Sequence, residues 1–157
     1  MQITIMRHGE ASMHANSDAE RPLTSTGEAQ SQQMASMLVK QTEPFDLVLV
    51  SPYLRAQQTW QSMRALLPSA REVMTCEDIT PYGDSSRAAD YIRALVEVHG
   101  YKSILVVSHL PLVGYMCTEF LPGSQPPMFM TGAAAVIDYD LDSGKASLLE
   151  SLVPGIH

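Results

Sequence analysis

The chain has 157 residues, 45% of them hydrophobic and 17% charged, and a formal net charge of −7. This length supports a single domain spanning residues 1–157, with enough chain for a sizeable core. The acidic balance argues against a protein that coats nucleic acid or an anionic membrane, because such binding rests on summed basic charge.

Read in chain order, strand-like and helix-like segments alternate. Ile3 to Met6 reads as a strand that runs into Arg7-His8-Gly9. Ser25-Thr26-Gly27-Glu28 fits a capping box, in which Ser25 caps the helix and Glu28 reaches back. Gln30, Met34, Met37 and Leu38 then hold helical spacing to about Lys40. Phe45 to Val50 is nearly all apolar, as strands buried on both faces of a parallel sheet are. Ser51-Pro52 opens a second helix, with Ala56, Trp60, Met63 and Leu67 on one face and Pro68 at its end. Glu72 to Cys76 is a weaker strand, and Thr80 to Asp84 is loop. Ala88, Ile92, Leu95, Val96 and His99 form the inner stripe of a third helix, which stops at Gly100. Ser103 to Ser108 is the clearest strand. His109-Leu110-Pro111 turns into a fourth helix running to about Leu121, where Pro122-Gly123 ends it. After a Pro-rich loop, Ala133–Tyr139 and Lys145–Glu150 read as an edge hairpin around Asp142-Ser143-Gly144.

The alternation predicts an α/β fold: a single three-layer domain, with a mostly parallel central sheet, helices on both faces and an antiparallel edge. No apolar stretch approaches the roughly 20 residues of a membrane span, and no basic region followed by an apolar run marks a signal peptide. Cys76 and Cys117 lie in no CxxC motif and are expected to be reduced thiols. The expected compartment is the cytoplasm. His14 and His157 are expected at the surface, and His99 suits a helix C-terminus, where a cation is favoured. No HExxH or Cys-rich motif accompanies His8 and His109, so no metal site is expected.

Three strand ends share a polar pattern. The first carries Arg7-His8-Gly9, the second carries Ser51-Pro52 with Arg55 one turn on, and the late strand carries Ser108-His109. In open α/β sheets ligands bind beyond the carboxyl ends of the strands. Burying guanidinium and imidazole groups is costly without partners, and an Arg near a helix N-terminus opposes the helix dipole. Both costs are relieved by a bound anion.

These segments, Met6-Arg7-His8-Gly9-Glu10, Ser51 to Thr59 and Val107-Ser108-His109, resemble the signature of the histidine phosphatase superfamily, the phosphoglycerate-mutase-like enzymes. The likeness runs from Gln2 to about Tyr139. Arg21-Pro22-Leu23-Thr24, Thr80 to Asp84 and Ser108 to Tyr115 further resemble the SixA-type phosphohistidine phosphatases. The resemblance implies a phosphoglycerate-mutase-like fold and a metal-independent phosphatase that needs no cofactor. It implies His8 as the nucleophile, with one ring nitrogen unprotonated and the other donating to a backbone carbonyl. Gly9 would let the backbone come close to the nucleophile. Arg7, Arg55 and Arg21 would bind phosphoryl oxygens with planar bidentate geometry, joined by His109 as an imidazolium donor. Such a pocket supplies the positioning and charge stabilisation that phosphoryl transfer needs.

Larger members of the superfamily protonate the leaving oxygen with an acid. The nearest candidates here are Glu77 and Asp78, in surroundings that do not match the usual acid-bearing motif. The chemistry gives a reason. An alkoxide has a conjugate acid of pKa roughly 15–16, comparable to bulk water, whereas neutral imidazole has a conjugate acid near about 6.5. A phosphorylated imidazole therefore leaves without the roughly 10²–10⁴-fold help of a general acid. Asp18 is a candidate to orient the water of the second step. The short chain leaves little room for a lid, which suits a phosphohistidine presented by a protein. Met128, Phe129 and Met130 either rim that docking site or pack under the edge hairpin.

The expected activity is hydrolysis of phosphohistidine on a signalling or phosphocarrier protein through a phospho-His8 intermediate. Expected partners are histidine phosphotransfer domains or phosphotransferase-system carriers, not nucleic acid or membrane. A small-molecule phosphomonoester phosphatase and a non-catalytic phosphate-binding module are the alternatives.

Overall fold

The computed structural model describes residues 1–156, so the surface expectation for His157 lies outside the described residues. Six strands form one mixed sheet: β1 (Gln2–Arg7), β2 (Leu47–Val50), β3 (Glu72–Thr75), β4 (Ser103–Ser108), β5 (Ala134–Tyr139) and β6 (Ala146–Leu152). Their order is β3-β2-β4-β1-β5-β6. β3, β2, β4 and β1 are mutually parallel, and β5 and β6 add antiparallel strands at one side. Four helices complete the fold: α1 (Ser25–Gln41), α2 (Leu54–Met63), α3 (Ser85–His99) and α4 (Leu112–Phe120). None of them is long and apolar enough to cross a membrane.

The strands are apolar on both faces because both faces are covered. Ile3, Ile5, Leu47, Leu49, Ile104 and Val106 pack against Ala88, Ile92 and Val96 of α3 and Val113, Met116 and Phe120 of α4. Met6, Val48, Val50, Leu105 and Val107 pack on the other face against Met34 and Leu38 of α1 and Ala56, Trp60 and Met63 of α2. This is the predicted layering, with two helices per face. β3 and β6 lie at the sheet edges and are mostly exposed, which explains the weak strand signal of Glu72 to Cys76.

Several boundaries differ from expectation. Thr24, not Ser25, caps α1, and its Oγ1 accepts from the Gly27 N–H at 3.1 Å. The same hydroxyl donates to Glu10 Oε1 at 2.9 Å, so the cap also fastens the helix to the loop after β1. α2 begins at Leu54, leaving Ser51 and Pro52 in the turn before it. It gives way to a 3₁₀ turn at Arg64–Leu66 before Pro68. His99 is exposed and falls outside the inner stripe of α3, which ends at Gly100 with φ of 67°. Both cysteines are free and buried.

Candidate active site

The sheet order brings the polar strand ends together. β4 lies between β2 and β1, with Arg7 opposite Ser108 and Val50 opposite Val107. One residue further on, His8, His109 and Ser51 leave their strands side by side at the carboxyl edge. All three are buried, as is Arg55 in the first turn of α2.

His8 is fixed at both nitrogens. Nδ1 lies 2.6 Å from the Gly9 carbonyl oxygen, which can only accept, so Nδ1 carries the proton. Nε2 then presents its lone pair, and Arg55 Nε donates to it at 3.2 Å. Burial pushes the imidazole pKa down to about 3; the Gly9 hydrogen bond opposes this, and Arg55, Arg7 and Arg21 lower it further. His8 is therefore neutral at physiological pH, in the form a nitrogen nucleophile needs.

Arg55 reaches three groups at once. Besides His8, its Nη1 donates to the Asp18 carbonyl at 2.6 Å and its Nη2 to Asp18 Oδ2 at 3.2 Å. Its guanidinium lies 5.0 Å from the centroid of the Tyr53 ring, a cation–π distance. Arg21 joins from the far side, donating to Asp18 Oδ1 at 3.1 Å and to the Ser12 carbonyl at 2.8 Å. Asp18 thus bridges two arginines. Partial burial pushes its carboxyl upward, but hydrogen bonds from Arg21 and Arg55 outweigh that and hold it below the usual carboxylate range. Arg7 donates from Nη1 to the Phe129 carbonyl at 2.9 Å, while its buried Nε meets no acceptor.

His109 departs from expectation. Burial, then the neighbouring His8 and Arg55, push its pKa down to about 2, with Asp18 opposing weakly and Arg7 adding to the fall. Burial and the neighbouring guanidinium groups favour the neutral ring over the imidazolium. Its Nε2 lies 2.7 Å from Ser51 Oγ, and its buried Nδ1 has no protein partner. The His8 and His109 ring centroids are 5.0 Å apart.

Gly9 has a second reason to be glycine besides the close approach of its carbonyl to His8. A Cβ there would collide with the Gly27 carbonyl, and one on Gly27 would collide with the Glu10 backbone. Glycine is required because β1's loop and α1 touch through their backbones. Gly9 N–H donates to Thr59 Oγ1 at 3.0 Å, and that hydroxyl donates to the Arg55 carbonyl at 2.8 Å. The nucleophile's loop and the arginine's helix are thereby joined. Ser51, Tyr53 and Thr59 belong to the Ser51–Thr59 motif, but nothing in their spacing announces these contacts.

Asp78 forms an exposed ion pair with Arg87 at 3.5 Å, and Glu77 is exposed. Neither shares a hydrogen bond with His8, Arg55 or His109. Phe129 is buried in the core, while Met128 is 97% exposed and Met130 is exposed, so the packing reading holds for Phe129 alone. Among the described residues no group of three or more His, Cys, Asp or Glu is placed to hold a metal ion.

Residues 3–80 match the family model of the histidine phosphatase superfamily (branch 1). The chain is also 44% identical over 156 residues to the phosphohistidine phosphatase SixA of Escherichia coli K12, covering 98% of this chain and 94% of that protein. The chain belongs to the histidine phosphatase superfamily. A phosphohistidine phosphatase SixA homolog of Haemophilus influenzae is 37% identical, with 89% of each chain covered. A solved structure of the protein histidine phosphatase SixA complexed with tungstate superposes with a TM-score of 0.92 at 42% identity, over 98% of this chain and 97% of that one. The superfamily fold expected from the motifs is therefore the fold observed.

Proposed function

We propose that the chain is a protein phosphohistidine phosphatase, acting as one domain through a phospho-His8 intermediate. The observation that carries this reading is the pinned neutral tautomer of His8: Nδ1 tied to the Gly9 carbonyl, Nε2 facing the Arg55 guanidinium. A lone pair aimed into a cationic cluster is poised to attack an anionic electrophile. The near-full-length likeness to SixA supports the same assignment, as does the tetrahedral oxyanion in that protein's tungstate complex.

In the first step the His8 Nε2 lone pair forms a bond to phosphorus. The substrate P–N bond breaks, and its electron pair stays on the departing nitrogen. A substrate ring protonated on its other nitrogen leaves as neutral imidazole. Phospho-His8 is then an imidazolium whose Nδ1–H is held by the Gly9 carbonyl. In the second step water attacks phosphorus, the His8 P–N bond breaks, and H₂PO₄⁻ forms as His8 returns to its neutral tautomer. Arg7 and Arg55 hold the transferring oxygens, with Arg21 behind them through Asp18.

The carboxylate in the cluster supports this substrate class. Asp18 is kept ionised by Arg21 and Arg55, so it has no proton to give an alkoxide. A leaving imidazole needs none. The protein partner we propose is a histidine phosphotransfer domain or a phosphotransferase-system carrier, and the compartment we propose is the cytoplasm. Met128, Met13 and Tyr82 support docking of a protein: all three are strongly exposed on loops at the carboxyl edge of the parallel strands or beside Arg7's Phe129 contact.

The test is single-turnover dephosphorylation of ³²P-labelled phosphohistidine carriers beside a sugar phosphate. Turnover of the carrier, a trapped phosphoenzyme and loss of both in His8→Ala are expected. A preference for the ester, or label retained in His8→Ala, overturns the proposal.

A further inference from the structure

We propose that Ser51 is a positioning residue that fixes the tautomer of His109, so that a neutral His109 offers Nδ1–H to a phosphoryl oxygen. The inference rests on the phosphoryl-transfer reading of the pocket and adds a role to a residue that the motif does not explain.

The protons available at Ser51 and His109 decide the tautomer. Ser51 is fully buried, so its hydroxyl has no bulk water to bond. Its Oγ already accepts from the Tyr53 N–H at 3.3 Å, which leaves the hydroxyl proton to be placed. Among the described residues, the acceptor that this proton meets is His109 Nε2, at 2.7 Å. A buried hydroxyl left without an acceptor is disfavoured. Nε2 therefore carries the lone pair and Nδ1 carries the proton.

Ser51 cannot easily turn elsewhere. Its own N–H donates to the Val107 carbonyl at 3.1 Å, and its carbonyl accepts from Gln57 Nε2 at 2.9 Å. Tyr53 packs edge-on against the His109 ring, with centroids 5.1 Å apart, and limits its rotation. The ring is held from two sides, and the nitrogen turned away from Ser51 is the one that has no protein partner.

The tautomer decides the chemistry. An Nδ1 lone pair would repel a phosphoryl oxygen, whereas Nδ1–H donates to it. His8 and His109 then share one tautomer and use it oppositely. His8 turns its unprotonated nitrogen to the substrate because its Nδ1–H is taken by the Gly9 carbonyl. His109 turns its N–H to the substrate because its unprotonated nitrogen is taken by Ser51. One ring attacks and the other donates, with no proton exchanged between them.

The experiment reads tautomers directly. Protein labelled with ¹⁵N in the imidazoles is recorded by long-range ¹H–¹⁵N correlation near neutral pH, as wild type, Ser51→Ala and Ser51→Cys. Wild type is expected to show His109 protonated at Nδ1. In Ser51→Ala the protonated form at Nε2 gains population, and kcat/KM on a phosphohistidine carrier falls about 10–100-fold, taken from the loss of partners that orient metal-ligating histidines. Ser51→Cys, nearly the same size with a weak S–H donor, falls between them. The His8 signals stay in place in all three, which shows an intact pocket. Wild-type His109 protonated at Nε2, or a tautomer unmoved by Ser51→Ala, overturns the inference. Because the spectra need no substrate, a wild type that lacks turnover but shows the tautomer switch would refute the proposed function and leave this inference standing.

Discussion

Arg55→Lys separates charge from geometry at the centre of the cluster. The wild-type guanidinium meets His8 Nε2 at 3.2 Å, the Asp18 carbonyl at 2.6 Å and Asp18 Oδ2 at 3.2 Å. An ammonium carries the same charge on a single point and cannot reach His8 and both Asp18 groups together. In the folded state the variant forfeits roughly one charge-assisted hydrogen bond, about 1.5–3 kcal/mol. At about 2–4 °C per kcal/mol for a chain of this size, the melting temperature falls by about 3–12 °C. In the transition state it loses an oriented donor to the transferring phosphoryl group, worth about 10²–10³-fold in rate. Rapid-quench single turnover on a phosphohistidine carrier, at a temperature well below both melting points, measures the second term apart from the first. A rate within about threefold of wild type would show that positive charge suffices, and would refute the argument from fork geometry.

Three further outcomes are expected. Asp18→Asn removes the charge that bridges Arg21 and Arg55; since the carboxylate is partly exposed, stability drops by at most about 1 kcal/mol, while kcat falls more than KM rises, as steady-state kinetics will show. Gly9→Ala drives a methyl into the Gly27 carbonyl and costs about 3 kcal/mol by overpacking, visible as a lowered midpoint in urea unfolding; Thr26→Ala, outside that contact, serves as the comparison. Acid unfolding has a defined window. His8 and His109 refuse protons until about 3 and about 2, against 6.5 when unfolded, so below 6.5 the unfolded chain binds protons the folded one does not. Stability therefore rises with pH across that window, and at pH near 5 the pair costs at most about 4 kcal/mol relative to neutral pH. A His8→Ala, His109→Ala double variant should flatten this slope in unfolding curves taken from pH 7 to 5.

Much of the molecule was legible in the sequence because local rules and tertiary packing agreed. Val48, Val50, Leu105 and Val107 alternate with Leu47, Leu49, Ile104 and Val106 to fill both faces of a covered sheet, and the unbroken apolar runs say so. Helix ends were less legible. Thr24 displaces Ser25 as the cap because its hydroxyl also bonds Glu10, a contact that spans 14 residues. The Met128–Met130 loop divides into exposed and buried members, which no spacing rule separates.

The sequence by itself determined the chemistry on offer: histidines at two strand ends, arginines at or near two, and a glycine beside the first histidine. It also carried the family likeness, since motif identity and order are one-dimensional properties. Only the tertiary structure decided how those groups act. The placement of β4 between β2 and β1 set both Ser51 and His8 against His109. Burial and neighbouring charge then made His109 a neutral ring where the motif suggested an imidazolium. The backbone contact of Gly9 with Gly27 belongs to the same category. Protonation and tautomer depend on solvent exclusion and on distances between residues far apart in the chain, and these exist only once the sheet has assembled.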